Sequence, residues 1–275
     1  MNKLIEIKEL SVKYSSKKKV FGYKEKYINA VEGISFDFMK GEVLGVVGES
    51  GSGKSTVSRC LLSIIKNIDK SSVVDGSIIY NDSVDLLKAK GKELKSVRKN
   101  IQGVFQDPDS SMNQRLTAGK IIEEPLLNLT DFSKSVREEK IKDVLQKCGL
   151  SEEDINKYPN EFSAGQKQRI CIARAIVIEP EILIADEPLS SLDISIQAQI
   201  INLLIDLKEK YNLSIIFITH DLNVVKVFCD RLIVMKDGKI VEQGKTEEVV
   251  SNPKEEYTRS LFSSNIIPSI PNNIS

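Results

Sequence analysis

The chain has 275 residues, with 39 basic and 39 acidic side chains and so no formal net charge. That length carries one or two domains with a substantial core, and the even balance argues against a nucleic-acid partner. The four cysteines, Cys60, Cys148, Cys171 and Cys229, lie far apart in apolar contexts, so they read as buried thiols of a reducing compartment and exclude a disulfide framework.

The first residues, Met1-Asn2-Lys3-Leu4-Ile5-Glu6-Ile7-Lys8, break every apolar pair with charge, so no signal peptide is expected. No apolar run approaches the ~18 residues of a membrane span, which leaves work at a membrane to the cytoplasmic side and to a partner. Alternation at Ile5-Glu6-Ile7-Lys8, at Leu10-Ser11-Val12-Lys13-Tyr14 and at Ile34-Ser35-Phe36-Asp37-Phe38 predicts antiparallel strands. The polar residues 15–26 between them read as a loop or long hairpin, with Lys17-Lys18-Lys19 solvated. An apolar strand, Val43-Leu44-Gly45-Val46-Val47, precedes a glycine loop. A helix through Leu61, Leu62, Ile64 and Ile65 and a strand pair over 73–80 follow. A lysine-rich stretch then ends in the strand 101–105, which Pro108 stops.

Residues 107–158 read as helical. Ile141, Val144, Leu145 and Cys148 share a face, Ser135 and Glu138 look like a capping box, and Gly149 is a C-terminal stop. Another helix starts after Phe162-Ser163-Ala164-Gly165-Gln166. Strand, helix and strand then alternate through 182–185, 194–207 and 215–218, which argues a parallel sheet with helices on its faces. Residues 266–275, rich in Pro, Asn and Ser, read as a mobile tail.

The loop Gly48-Glu49-Ser50-Gly51-Ser52-Gly53-Lys54-Ser55-Thr56 sits between a strand and a helix, the context of a phosphate-binding P-loop. Its glycines let successive N–H groups face one anion, and the following helix adds its N-terminal dipole. Lys54 is placed for the β/γ-phosphates and the Ser55 hydroxyl for Mg²⁺. The buried strand ending Ala185-Asp186-Glu187 supplies an Mg²⁺-directed carboxylate, Asp186, and a second, Glu187, to polarise water. His220, the single histidine, ends another core strand. A lone histidine is most often structural, but open α/β sheets gather their ligands at such strand ends.

With these residues in view, the chain resembles the ATP-binding cassette (ABC) transport ATPases over nearly its whole length. Residues 48–55 look like Walker A, Gln106 the Q-loop, 162–166 the signature, 182–187 Walker B, 190–193 the D-loop with Asp193, and His220 the switch histidine. The resemblance implies an α/β fold. A P-loop NTPase core, mostly parallel sheet flanked by helices, would carry an N-terminal antiparallel β subdomain and a helical subdomain at about 107–175. One nucleotide-binding domain would cover 1–265. The resemblance makes Glu187, His220 and Gln106 catalytic, and Ser55, Gln106 and Asp186 the metal-side groups. Tyr14 becomes the adenine-stacking aromatic, with Tyr23 and Tyr27 in the same region. Ser163, Ala164, Gly165 and Gln166 would act across an interface on a second subunit's ATP. Ala164 stands where the family has glycine, which requires a negative φ there.

Residues 106–113, 121–126 and 252–261 are similar to oligopeptide, dipeptide and nickel importer ATPases. Glu255-Glu256 stands where those relatives carry His-Pro, and no cysteine follows Cys229. The implied role is the energy-coupling ATPase of an importer, peripheral on the cytoplasmic face, with ATP and Mg²⁺. Its partners would be transmembrane permeases, a second ATPase subunit and, indirectly, an extracytoplasmic solute-binding protein. An exporter ATPase uses the same chemistry and differs only in these traces. A soluble chromosome-maintenance ATPase would place a long coiled coil between the Walker motifs, and a ribosome-associated one would carry two cassettes.

Overall fold

A computed structural model describes residues 2–15 and 27–264. The lysine run 17–19, Tyr23, most of the polar stretch 15–26 and the tail 266–275 lie outside the described residues.

Two long strands open the fold, β1 (Lys3–Ser15) and β2 (Tyr27–Met39), paired antiparallel. The two alternating runs expected at 5–8 and 10–14 are one strand. Glu9, at φ 49°, accommodates a register shift between them, and its N–H donates to the Ser35 hydroxyl at 2.9 Å. β3 (Val43–Val47) leads through the glycine loop into α1 (Lys54–Leu61), followed by the single turn α2 (Ile65–Ile68). The helix expected to run through Ile65 breaks at Ser63, which adopts φ 54° and donates its hydroxyl to the Leu86 carbonyl at 2.9 Å. The strand pair expected over 73–80 is one strand, β4 (Val73–Tyr80), with the short β5 (Val84–Asp85) as its partner.

The lysine-rich stretch forms α3 (Gly91–Asn100), which enters β6 (Ile101–Val104). A helical stretch follows: α4 (Pro108–Ser111), α5 (Ala118–Leu129), α6 (Lys134–Lys147) and α7 (Ala164–Ile176). The α6 N-cap is Ser133, whose hydroxyl accepts from the Val136 N–H, so the cap lies two residues before the expected Ser135. Gly149, at φ 69°, ends that helix as its left-handed stop. The remainder runs β7 (Ile182–Asp186), α8 (Ile194–Tyr211), β8 (Ser214–Thr219), α9 (Leu222–Phe228), β9 (Arg231–Lys236), β10 (Lys239–Lys245), α10 (Thr246–Ser251) and α11 (Glu256–Ser264).

The antiparallel sheet has the order β2-β1-β4-β5 and the second sheet β10-β9-β3-β8-β7-β6. In the second, every pairing is parallel except the edge hairpin β9–β10. Its inner strands are buried along their whole length because both faces are covered. Leu183, Ala185, Ile215 and Phe217 face the core shared with α5, α6, α7 and α8. Ile182, Ile184, Ile216 and Ile218 face the core shared with α1 and the antiparallel sheet. The helical stretch thus packs into one continuous core with one face of the sheet.

The fold sends four adjacent strands, β3, β8, β7 and β6, to the same edge with their carboxyl ends. Open parallel sheets bind ligands at that edge. The β9–β10 turn, with Asp237 at φ 49° and Gly238 at φ 79°, reaches the same region. Its Gly238 N–H donates to the Ser52 carbonyl at 3.1 Å, and its Gly238 carbonyl accepts from the Glu32 N–H at 2.8 Å. Among the described residues no helix is long and apolar enough to cross a membrane.

Candidate nucleotide site

The glycine loop leaves β3 and closes on the start of α1. Gly48 (φ 152°) and Gly53 (φ 104°) occupy backbone conformations that side chains rarely adopt. A Cβ at Gly48 would stand 2.2 Å from the Met235 carbonyl oxygen, and one at Gly53 2.4 Å from that of Ala30. Both positions need glycine on two counts.

Lys54, buried at the helix start, donates from Nζ to the carbonyls of Gly48 (2.7 Å) and Glu49 (2.8 Å). Burial pushes its ammonium below the ordinary lysine value, against the pull of the Glu187, Asp186 and Glu49 charges. Ser55 donates its hydroxyl to Asp186 Oδ1 at 3.1 Å, joining the loop to the end of β7. Burial holds the Asp186 carboxyl above the ordinary carboxylate range; Glu187 adds to the shift and the Ser55 hydroxyl opposes it. A buried ammonium and a buried carboxylate are both costly to keep charged. Phosphate oxygens would relieve the first and a divalent cation the second.

Glu187 is the residue after β7 and sits at φ 49°, a conformation a non-glycine residue holds only when its surroundings fix it. Its N–H donates to the Ile218 carbonyl at 2.9 Å, and its carbonyl accepts from the Ser190 hydroxyl at 3.1 Å. His220, at the end of β8, brings Nδ1 to 3.3 Å from Glu187 Oε2 while its side chain stays mostly exposed. Gln106 follows β6 and faces the same space. Together Ser50, Gly51, Gly53, Lys54, Ser55, Thr56, Gln106 and Glu187 wall a polar cleft of about 250 Å³. Tyr14 approaches it from β1, its hydroxyl 3.4 Å from Thr56 Oγ1.

Ser163, Ala164, Gly165, Gln166 and Asp193 do not line that cleft. Ser163 caps α7 through a capping box: its Oγ accepts from the Gln166 N–H (3.4 Å), and Gln166 Oε1 accepts from the Ser163 N–H (3.0 Å). Ala164 is the first helical residue and has no positive φ, so the methyl fits the backbone there. Gly165 is buried, and a Cβ would meet Ile196 Cγ2 at 2.7 Å. Asp193 caps α8 by accepting from the Ile196 N–H at 3.0 Å.

Among the described residues, no group of three or more His, Cys, Asp or Glu is arranged to hold a metal. Mg²⁺ does not require one, since it keeps waters and substrate phosphates in its octahedral shell beside one or two protein oxygens. The Ser55 hydroxyl and Asp186 carboxylate, hard oxygens in hydrogen-bond contact beside a phosphate-sized cleft, fit it. The four cysteines are buried as expected, and burial pushes Cys60 and Cys148 up to about 12. Two groups escaped sequence reasoning. Ala30 lines the cleft as unremarkable backbone, and the Tyr257 hydroxyl accepts from the Glu49 N–H at 3.2 Å. A contact across 208 positions leaves no local trace in sequence.

Residues 31–190 match the family model described as ABC transporter. The chain is 44% identical over 261 residues to the oligopeptide transport ATP-binding protein AppF of Bacillus subtilis, covering 95% of this chain and 78% of that protein. It is 46% identical to the oligopeptide transport ATP-binding protein OppF of Escherichia coli (96% and 78% covered) and 42% identical to its dipeptide transport protein DppF (94% and 75%). Among solved structures, it is similar to a dimeric, post-hydrolysis ATP-binding cassette bound to ADP and Pi. The TM-score is 0.74 at 30% identity, covering 88% of this chain and 99% of that one. It is also similar to cbiO1 from Clostridium perfringens, part of an ABC transporter complex (TM-score 0.75, 27% identity, 92% of each chain).

Proposed function

The chain belongs to the ABC transporter family, and on that premise we propose that it is the ATP-hydrolysing subunit of an importer of oligopeptides or dipeptides. The observation that carries the reading is the convergence of Lys54, Ser55, Asp186, Glu187, Gln106 and His220 on one strand edge. The peptide class comes from the oligopeptide and dipeptide transport proteins that the chain matches at 42–46% identity over almost all its length.

In this reading the loop N–H groups and Lys54 hold the β- and γ-phosphates. Ser55 and Asp186 are the protein groups that would hold Mg²⁺, with Gln106 reaching toward it. Bound there, the ion would neutralise phosphate charge. Glu187 orients a water for in-line attack on the γ-phosphorus and takes its proton, while the bond to the bridging oxygen breaks to leave ADP and inorganic phosphate. His220 steadies the Glu187 carboxylate from Nδ1. Tyr14 lies at the adenine end.

Ser163 to Gln166 open a helix whose free N–H groups favour phosphate yet stand outside the chain's own cleft. They serve the nucleotide of a second ATPase subunit, so each working site is composite. Permease subunits carry the peptide and seat this chain peripherally at the membrane, and a solute-binding protein delivers the peptide from outside. The nucleotide-binding domain runs to about residue 265, with 107–175 as its helical subdomain.

The test is reconstitution with the cognate permeases in liposomes. The expected result is peptide uptake that needs ATP on this chain's side and stops with Glu187→Gln. ATP-driven peptide movement in the opposite direction would overturn the importer reading.

A further inference from the structure

The segment after β10 was singled out by sequence, yet nothing in ATP chemistry accounts for it, and it lies beyond residues 31–190 of the family match. It is firmly anchored. The buried Glu242 carboxylate accepts from the N–H groups of Lys254 (2.9 Å) and Glu255 (3.2 Å), which fixes the entry to α11. Arg259 closes the same turn by donating to the carbonyls of Pro253 (3.0 Å) and Lys254 (2.8 Å), and Thr258 and Phe262 are buried. This anchoring delivers Tyr257 to the glycine loop. Its ring lies under Lys236 Nζ, 4.6 Å from the ring centre, and its hydroxyl accepts from the Glu49 N–H at 3.2 Å.

The peptide unit so engaged is the one whose carbonyl, that of Gly48, receives Lys54 Nζ at 2.7 Å. A single peptide plane is therefore held at both ends, by Tyr257 on its amide and by Lys54 on its oxygen. Gly48 has no Cβ to restrain that plane, and its φ of 152° is one a side chain would not hold. Rotation of the plane would carry the carbonyl away and cost Lys54 one of the two carbonyls, those of Gly48 and Glu49, that hold it at rest.

We propose that Tyr257 is a positioning residue for nucleotide binding: it locks the Gly48–Glu49 peptide, so that Lys54 waits, desolvated and aimed, where the phosphates arrive. The C-terminal segment is thereby part of the nucleotide site. The inference rests on the proposed role of Lys54 in that site. It also makes displacement of α11 a means of loosening ATP.

Tyr257→Phe in the full chain keeps the ring, its packing and the Lys236 contact, and removes one hydrogen bond. ATP affinity is measured by titration calorimetry with Mg²⁺ withheld to prevent turnover. It should weaken by about 2- to 10-fold, the scale of one such bond. In a Lys54→Ala background the same substitution should change affinity by less than about 2-fold, because its effect passes through Lys54. Hydrogen exchange at the Glu49 amide in nucleotide-free protein should accelerate in Tyr257→Phe. Unchanged affinity, or an equal loss in both backgrounds, overturns the proposal. Failure of the wild-type chain to bind ATP would count against the proposed function. The Glu49 exchange rate, read without nucleotide, would still decide whether Tyr257 locks the peptide.

Discussion

At the scale of single residues, the site is a set of charges kept under strain until substrate arrives. Asp186 shows the cost most plainly. Burial raises its folded titration point above the ordinary 3.8, so below that value folded and unfolded chains are both protonated and the residue is neutral for stability. As pH rises through the ordinary range, the unfolded chain ionises first, and the fold loses stability until its own carboxyl follows. Asp186→Asn removes that cost and keeps an oxygen for the Ser55 hydroxyl. Its melting temperature, measured without nucleotide, should rise above wild type at pH 7, with the gap closing toward pH 4, while ATP hydrolysis falls sharply. Glu187→Gln separates binding from chemistry. The amide cannot take the water's proton, so turnover should drop about 10²- to 10⁴-fold with ATP affinity retained. Single-turnover kinetics beside equilibrium binding would read both quantities.

At the scale of elements, the caps matter most. α7 starts with a reciprocal box between Ser163 and Gln166, and its first residues are exposed apart from Gly165. Ser163→Ala should cost about 0.5–2 kcal/mol of stability, seen as a lower urea midpoint in the full chain. Ser163→Asn, which also caps, should recover most of that. These element boundaries were readable where a side chain acts on its own backbone, as in the glycine loop, the 162–166 helix start and the Gly149 stop. They were not readable where distant contacts decided. α1 stops at Leu61 because Ser63 turns left-handed toward the Leu86 carbonyl. The α6 cap moved to Ser133 because Ser135 already lies inside the helix, its hydroxyl 3.0 Å from that of Ser133. Ile5 to Tyr14 is one strand because Ser35 of the neighbouring strand holds Glu9 through its bend. The strand-end carboxylates were legible for a simple reason: buried apolar strands deliver their last residues to a predictable edge. Tyr257, on α11, was not, since its anchoring depends on Glu242 in strand β10.

At the scale of the whole molecule, the described residues form one phosphate cleft and, apart from it, the α7 start, shaped for an anion but not lining that cleft. In the proposed function this second feature is half of another subunit's site. Gly165 is a poor place to test that, because any side chain there collides with Ile196 of the same chain. Ala164 is a better one: it is exposed at the first turn of the helix, where a carboxylate suits the helix dipole and leaves folding intact. The decisive measurement is ATP binding and hydrolysis by Ala164→Asp in the assembled transporter. The expected result is wild-type ATP affinity in the isolated chain, an undiminished melting temperature and loss of hydrolysis, as the new carboxylate meets the facing subunit's γ-phosphate. Hydrolysis by Ala164→Asp at the wild-type rate would contradict it.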